Sequence, residues 1–148
     1  MDEMLYLDNQ MCFRLYSISR KMTKAYEPLL NKYDLTYPQY VVMLGLFQVE
    51  VIDFKDLSKL INLTPGTLTP LLIRLEKLGY LNRIKNPEDS RKINIKLSES
   101  GYRLREEIIE VPHAMGKKLN YSIEKYGNLI KDLDELNQLL DEINNEEL

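Results

Sequence analysis

Very little in this chain is suited to covalent scaffolding or metal chemistry. Its 148 residues include one cysteine, Cys12, so no internal disulfide can form. One histidine, His113, and the lack of any CxxC pair argue against a structural zinc site. His113 lies beside Pro112 and reads as a surface or hinge residue. The six glycines are scattered, so there is no Gly-rich phosphate loop. No apolar run approaches the roughly 20 residues that a membrane-spanning helix needs. The opening MDEMLYLDNQ is acidic and lacks the basic start of a secretory signal. The expectation is a cytoplasmic protein without cofactor or metal.

Hydrophobic residues make up 44%, enough for a packed core. The net charge of −3 by itself speaks against a nucleic-acid partner, but its distribution does not. Residues 74–105 carry nine Lys/Arg against four acids, and residues 106–148 carry four Lys against eleven acids. A basic centre followed by an acidic tail can meet phosphate while the total stays negative. The tail itself reads as a solvated helix face, and the ten tyrosines mostly as core and interface.

Residues 5–32 are predicted to form one long helix, with Met11, Leu15, Ile18, Met22, Ala25 and Leu29 in a continuous stripe at steps of four and three. Cys12, Tyr16 and Tyr26 form a second edge beside it. The stripe suits either a partner surface or burial within the same chain. Thr36 and Pro38 open a helix over about 37–48, and Val51–Ile52 suits a short strand. Asp53 caps a third helix, and Asn62 suits the tight turn after it because Asn tolerates a left-handed backbone. Thr64 and Pro65 begin a fourth helix, with Leu68, Leu71, Leu72, Leu75 and Leu78 inward and Gly79 at its end. Pro70 inside it removes a backbone bond, ordinarily at about 3 kcal/mol, so a kink or an opened turn is expected there. YLNRIK (80–85) and KINIKL (92–97), separated by NPEDSR, form a β-hairpin. Ser98 caps a fifth helix that Pro112 bends or ends. A last helix covers about 122–146, with Ile123, Leu129, Ile130, Leu133, Leu136, Leu139, Leu140 and Ile143 on its apolar side.

A hairpin directly after a helix-turn-helix is a wing. The fold class is therefore mainly α with a small antiparallel β-wing (α+β), a winged helix-turn-helix. Residues 1–35 form an N-terminal helix and dimerisation region. Residues 36–110 form the DNA-binding domain, with the helix-turn-helix at about 54–79 and the wing at about 80–97. Residues 111–148 form a C-terminal dimerisation helix. The second helix of the pair can enter a major groove and the hairpin an adjacent minor groove. Gly66, Thr67, Thr69, Ile73, Arg74 and Lys77 are expected on the outer face of that helix, and Arg83, Lys85, Asp89, Arg91 and Lys92 on the wing. An arginine at the hairpin tip suits the strongly negative minor groove. Asp89 either fixes the Arg91 guanidinium or fills the turn. The competing reading is a winged-helix module for protein contacts, which the basic wing disfavours.

The run GTLTPLLIRLEKLGYLNRIKNPEDSRKINIKLSESG, residues 66–101, resembles the core of the MarR family of transcriptional regulators. The signature is the wing pair Asp89 and Arg91, followed by a strand and by Leu97, Ser98 and Gly101. This resemblance implies a dimer with interlocked terminal helices and two winged helices on a near-palindromic operator. NQMCFRLY (9–16), the run at Tyr26, Pro28, Leu29 and Leu30, and LTYPQY (35–40) resemble the organic-peroxide-sensing branch, OhrR. In that branch the lone N-terminal cysteine is the sensor, which implies that residues 1–35 are also the sensor region. The resemblance gives Cys12 that role, with Tyr26 and Tyr37 of the other subunit bonding its thiolate and Tyr16 in the same pocket. One departure is Thr64-Pro65, where the branch usually carries Asp-Ser.

The residues have their own chemistry beside that resemblance. A cysteine near a helix start meets the positive end of the macrodipole, and phenolic donors favour the thiolate. A thiolate attacks a peroxide and becomes sulfenic acid. With no second cysteine, the product goes on to a mixed disulfide with a small thiol, a cyclic sulfenamide or overoxidation. The bland alternative is a cysteine acting as a small core hydrophobe. Two other functions compete. One is a MarR-type regulator with a small aromatic or anionic ligand in the dimer cleft and Cys12 inert. The other is a one-cysteine thiol peroxidase, which lacks a Thr/Arg constellation and a resolving partner.

Overall fold

In the computed structural model, which describes residues 2–146, side-chain bonds compete with the helix at the N-terminus. Asp2 caps a 3-10 turn at Glu3–Leu5, accepting from Met4 N at 3.0 Å. A second such turn covers Leu7–Asn9. Asn9 Nδ2 donates to the Glu3 carbonyl at 2.8 Å, Gln10 Nε2 to the Met4 carbonyl, and Arg14 Nη2 to the Asp8 carbonyl at 2.5 Å. These bonds take carbonyls that a regular helix would use. The expected start at residue 5 is therefore corrected: helix α1 spans Met11–Leu30, and Cys12 is its second residue. At the other end a 3-10 turn over Asn31–Tyr33 tightens the chain into Asp34, at φ 55°.

Helix α2 (Tyr37–Leu46) starts where Gln39 Oε1 accepts from Thr36 N at 2.9 Å. Strand β1 (Val51–Asp53) leads into α3 (Phe54–Leu60), capped by Asp53, which accepts from Lys55 N at 2.8 Å and Asp56 N at 3.1 Å. Asn62 takes the predicted left-handed turn at φ 52°. Helix α4 (Pro65–Lys77) follows from Thr64. Thr64 stands at the cap position, but its hydroxyl pairs with that of Thr67 at 3.0 Å, not with a backbone amide. The helix runs continuously through Pro70. The carbonyl that Pro70 leaves without a helical donor belongs to Gly66, four residues back on the exposed side.

Strands β2 (Leu81–Lys85) and β3 (Ile93–Leu97) form the hairpin. With β1 they make an antiparallel sheet in the order β1-β3-β2, with Ile52 opposite Ile95 and Arg83 opposite Ile95 on the two sides. Helix α5 spans Glu99–Glu107, with Ser98 Oγ accepting from Gly101 N at 3.1 Å. The chain breaks at Ile108–Ile109 and restarts as α6 (Glu110–Leu119). The break falls where the sequence places it, because a proline ring at 112 crowds the carbonyl four residues earlier. That carbonyl, of Ile108, accepts from Val111 N at 2.9 Å instead. Helix α7 spans Ile123–Glu146.

The chain divides into two compact units, the first ending at Val111 and the second starting at Pro112. The outer tips of the segments 1–35 and 111–148 lie outside the described residues. In the first unit the core is built from Leu30, Val42, Met43, Leu46, Leu57, Leu68, Leu72, Leu75, Leu81 and Ile95, each essentially fully buried. Each such side chain contributes about 1.5–3 kcal/mol relative to exposure. Two glycines join the wing to this core. Gly79 turns the chain out of α4 at φ 81°. A Cβ on Gly101 would lie 2.1 Å from the Tyr80 carbonyl oxygen, so only glycine lets α5 approach the start of β2. No helix among the described residues is long and apolar enough to cross a membrane.

Candidate nucleic-acid interface and cysteine site

Helix α4 buries Leu68, Leu72 and Leu75 and turns Thr67, Thr69, Ile73, Arg74 and Lys77 outward. The alternation follows the 3.6-residue period of the helix, so one face belongs to the core and the other is presented. The two threonine hydroxyls are not idle. Thr67 pairs with Thr64, and Thr69 Oγ1 donates to the Pro65 carbonyl at 2.9 Å. Each keeps lone pairs, and both close the first turn of the helix.

The wing is ordered by its own side chains. Asn86 Oδ1 accepts from Glu88 N at 2.8 Å and Asp89 N at 3.1 Å, and its Nδ2 donates to Asn94 Oδ1 at 3.2 Å. Asp89 accepts from Arg91 N and Arg91 Nε, each at 3.0 Å, and from Arg91 Nη2 at 3.2 Å. Of the two sequence readings of Asp89, the carboxylate does both: it fills the turn and aims the guanidinium. The Arg91 guanidinium holds the Asp89 carboxyl below the usual carboxylate range. The Arg91 side chain is 89% exposed, so the aimed group projects into solvent. Lys85 and Lys92 are exposed beside it.

Arg83 is placed differently from the other wing cations. Its Nε and Nη2 donate to Glu76 Oε2 at 2.9 and 2.7 Å, and its backbone N to Glu76 Oε1 at 3.0 Å. This pair couples the last turn of α4 to β2. Glu76 is a residue that the sequence reading missed. Its only signal there is an acid in a basic stretch, seven residues before an arginine.

At the other candidate site Cys12 is exposed in the first turn of α1. Tyr16 lies one turn further on the same face, and its hydroxyl accepts from Arg20 Nη1 at 2.9 Å. The oxygen of the phenol is the acceptor in this bond, and its O–H is a further donor. Arg14 turns away to the Asp8 carbonyl. Tyr26 and Tyr37 come together with ring centroids 5.0 Å apart. Tyr40 closes the cluster, 5.8 Å from Tyr26 and 6.2 Å from Tyr37. Tyr40 was not anticipated, although it follows Tyr37 by one helical turn. Burial, reinforced by Tyr26 and Tyr37, pushes its phenol up to about 12. Tyr26 lies 14 residues beyond Cys12 on α1, about 21 Å along the axis at 1.5 Å per residue. Cys12 and the tyrosine cluster of one chain therefore stand at opposite ends of one helix.

Residues 24–108 match the family model described as transcriptional regulator SarA/Rot. The chain is 44% identical over 106 residues to the organic hydroperoxide resistance transcriptional regulator of Bacillus subtilis, covering 72% of each. It is 38% identical to the HTH-type transcriptional regulator SarZ of Staphylococcus haemolyticus, covering 86% of this chain and 87% of that one. Among solved structures it is similar to reduced AbfR bound to DNA, with 30% identity and a TM-score of 0.83, covering 96% of this chain and 97% of the other. AbfR, a protein of Staphylococcus epidermidis, has also been solved overoxidised on DNA and in a disulfide form. The chain belongs to the MarR family of transcriptional regulators, as a DNA-binding member of the branch that includes the organic hydroperoxide resistance regulator, SarZ and AbfR.

Proposed function

We propose that the protein is a homodimeric repressor that leaves its operator when an organic hydroperoxide oxidises Cys12. Helix α4 enters the major groove with Thr67, Thr69, Ile73, Arg74 and Lys77 toward it. The wing lays Lys85, Asp89, Arg91 and Lys92 along the adjacent minor groove, with the Arg83 guanidinium held on Glu76. Two copies on a two-fold axis read a near-palindromic site.

One observation carries the sensor reading. Cys12 is free and exposed, and Tyr26, which packs against Tyr37, lies about four helical turns away on the same chain. A second copy running antiparallel brings its own Tyr26 and Tyr37 to Cys12. The apolar stripes support this copy: Met11 and Ile18 of α1 are more than half exposed, and Ile123, Leu129, Leu133, Leu139, Leu140 and Ile143 of α7 are also exposed. Faces of this kind mark interfaces.

The chemistry then runs in two balanced steps. The Cys12 thiolate attacks a peroxide oxygen, the O–O bond breaks, and an alcohol leaves once its alkoxide takes up a proton, giving sulfenic acid. A small thiol attacks the sulfenic sulfur, an S–S bond forms, and water leaves. The first step removes the negative charge that the tyrosines hold. The second inserts bulk into a packed interface, where overpacking costs about 1–3 kcal/mol. Overoxidation instead restores an anion, and overoxidised AbfR was solved on DNA. The mixed disulfide is therefore the step assigned to release.

The test is operator binding by the parent and by Cys12→Ser, with an organic hydroperoxide and a small thiol present. The parent should release DNA and Cys12→Ser should hold it. Tyr26→Phe and Tyr37→Phe should bind and respond more slowly. If both parent and Cys12→Ser release, or neither does, Cys12 is not the sensor. The alternative is then a regulator that takes a small aromatic or anionic ligand in the dimer cleft, with Cys12 inert.

A further inference from the structure

We propose that Glu76 is a positioning residue for DNA reading: it clamps the recognition helix to the wing and sets the distance between the two groove contacts. The inference rests on α4 and the wing being the DNA interface.

The geometry is a three-point clamp. One carboxylate takes two N–H groups of the Arg83 guanidinium and the backbone N–H of the same residue. A side-chain pair alone would leave the strand free to slide beneath a flexible arginine. Holding the backbone amide as well fixes β2 itself. The amide is available because β2 is an edge strand, paired only with β3, and an edge strand leaves alternate N–H groups without a partner. Glu76 caps one of them. Both side chains are about one-third exposed, 34% for Arg83 and 35% for Glu76, so the pair is partly screened from water. The Arg83 guanidinium holds the Glu76 carboxyl below its ordinary value, so the acid is charged when the protein meets DNA.

Between Glu76 and Arg83 the chain passes through Gly79, at φ 81°. That turn, the Tyr80 N–H on the Leu75 carbonyl at 3.1 Å and the buried Leu81 hold the start of β2 to α4, but the rest of the strand is exposed. Glu76 supplies a connection beyond Leu81. Ser98 adds another, its hydroxyl donating to the Gly79 carbonyl, but it holds the turn and not the strand. Fixing the strand matters because the major-groove helix and the minor-groove wing contact one duplex together. Their spacing must match the groove spacing before either contact is made.

The charge sign makes the proposal testable. An acid in a basic DNA-facing stretch repels phosphate, so removing it should raise affinity if it has no other role. A positioning role predicts the reverse. Glu76→Gln keeps a carbonyl oxygen for the Arg83 amide but loses the charged pair. Its operator affinity should fall by roughly tenfold, while binding to random-sequence duplex at the same salt stays equal or rises. The ratio of the two is the readout, because a general loss of stability would lower both. Arg83→Lys is the second variant. It keeps the positive charge for phosphate but cannot span Oε2 with both Nε and Nη2. Its ratio should fall as well, and it decides the matter if Glu76→Gln does not fold by circular dichroism. The proposal is overturned if the folded variants keep the parent ratio, or if Glu76→Gln binds operator more tightly. Arg91→Ala is run alongside. If it too leaves operator binding unchanged, the interface reading has failed. If Arg91→Ala weakens binding and the clamp variants do not, only the clamp has failed.

Discussion

At Tyr40 burial and two neighbouring phenols act in the same direction. The ring is 3% exposed, and placing a phenolate there costs desolvation together with repulsion from Tyr26 and Tyr37 once they ionise. The phenol therefore titrates at about 12 in the fold instead of 10 in the unfolded chain. A raised value means that the folded state holds a proton which the unfolded state gives up. The contribution to stability is complete below pH 10 and is lost as pH rises toward about 12. Tyr33 and Tyr80 shift the same way, also through burial. Thermal melting should fall steeply across that window, and Tyr40→Phe should flatten part of the fall. A Tyr40→Phe protein with the same alkaline profile as the parent would show that Tyr40 does not ionise in step with unfolding. Tyr26 and Tyr37 were legible because they fall in runs that resemble a known branch. Tyr40 falls in one of those runs too, but its part depends on α1 packing against α2.

On the scale of elements, the wing and its helix were readable from the sequence for a physical reason. Alternation in 80–85 and 92–97, a Pro/Asp turn between them and Gly79 before them are local signals, and the observed strands fall within those runs. The N-terminal end of α1 was not readable in the same way. Leu5, Tyr6 and Leu7 extend the apolar character ahead of the stripe, but Asn9, Gln10 and Arg14 take the carbonyls of Glu3, Met4 and Asp8. The wing makes its own prediction. Asp89 aims Arg91 into solvent, whereas Lys96 lies in β3 between two partner strands, opposite Val51 and Asn82. Arg91→Ala should weaken operator binding by about 1–3 kcal/mol, and Lys96→Ala by much less. Fluorescence anisotropy on one operator at moderate salt decides this. Equal affinities for parent and Arg91→Ala would remove Arg91 from the interface.

At the scale of the whole molecule, the question is what covers α1 and α7. Helix α1 buries one residue, Leu30, in its own chain, and α7 leaves its leucine and isoleucine face exposed. Of the α1 stripe, Met11, Ile18 and Ala25 are exposed and Leu15, Met22 and Leu29 are half-buried, so burial within the chain covers part of it. Helix α1 carries four cations against one acid, and α7 is acidic. Sedimentation at micromolar concentration should show a dimer with no folded monomer, and dilution should unfold and dissociate it together. A compact, stable monomer would remove both the partner-supplied tyrosines and the two-fold reading of the operator.

The sequence by itself determined the order of elements, the winged helix-turn-helix, the outward residues of α4 and the family. These follow from hydrophobic period, turn chemistry and short motifs, which act over a few residues and are written along the chain. The tertiary structure alone decided that Glu76 holds Arg83, that Tyr40 completes the Tyr26–Tyr37 cluster, and that Gly101 is forced by the Tyr80 carbonyl. Each of these is a meeting of two elements. Which side chains meet depends on how helices and strands pack across the core, and no local pattern encodes that distance.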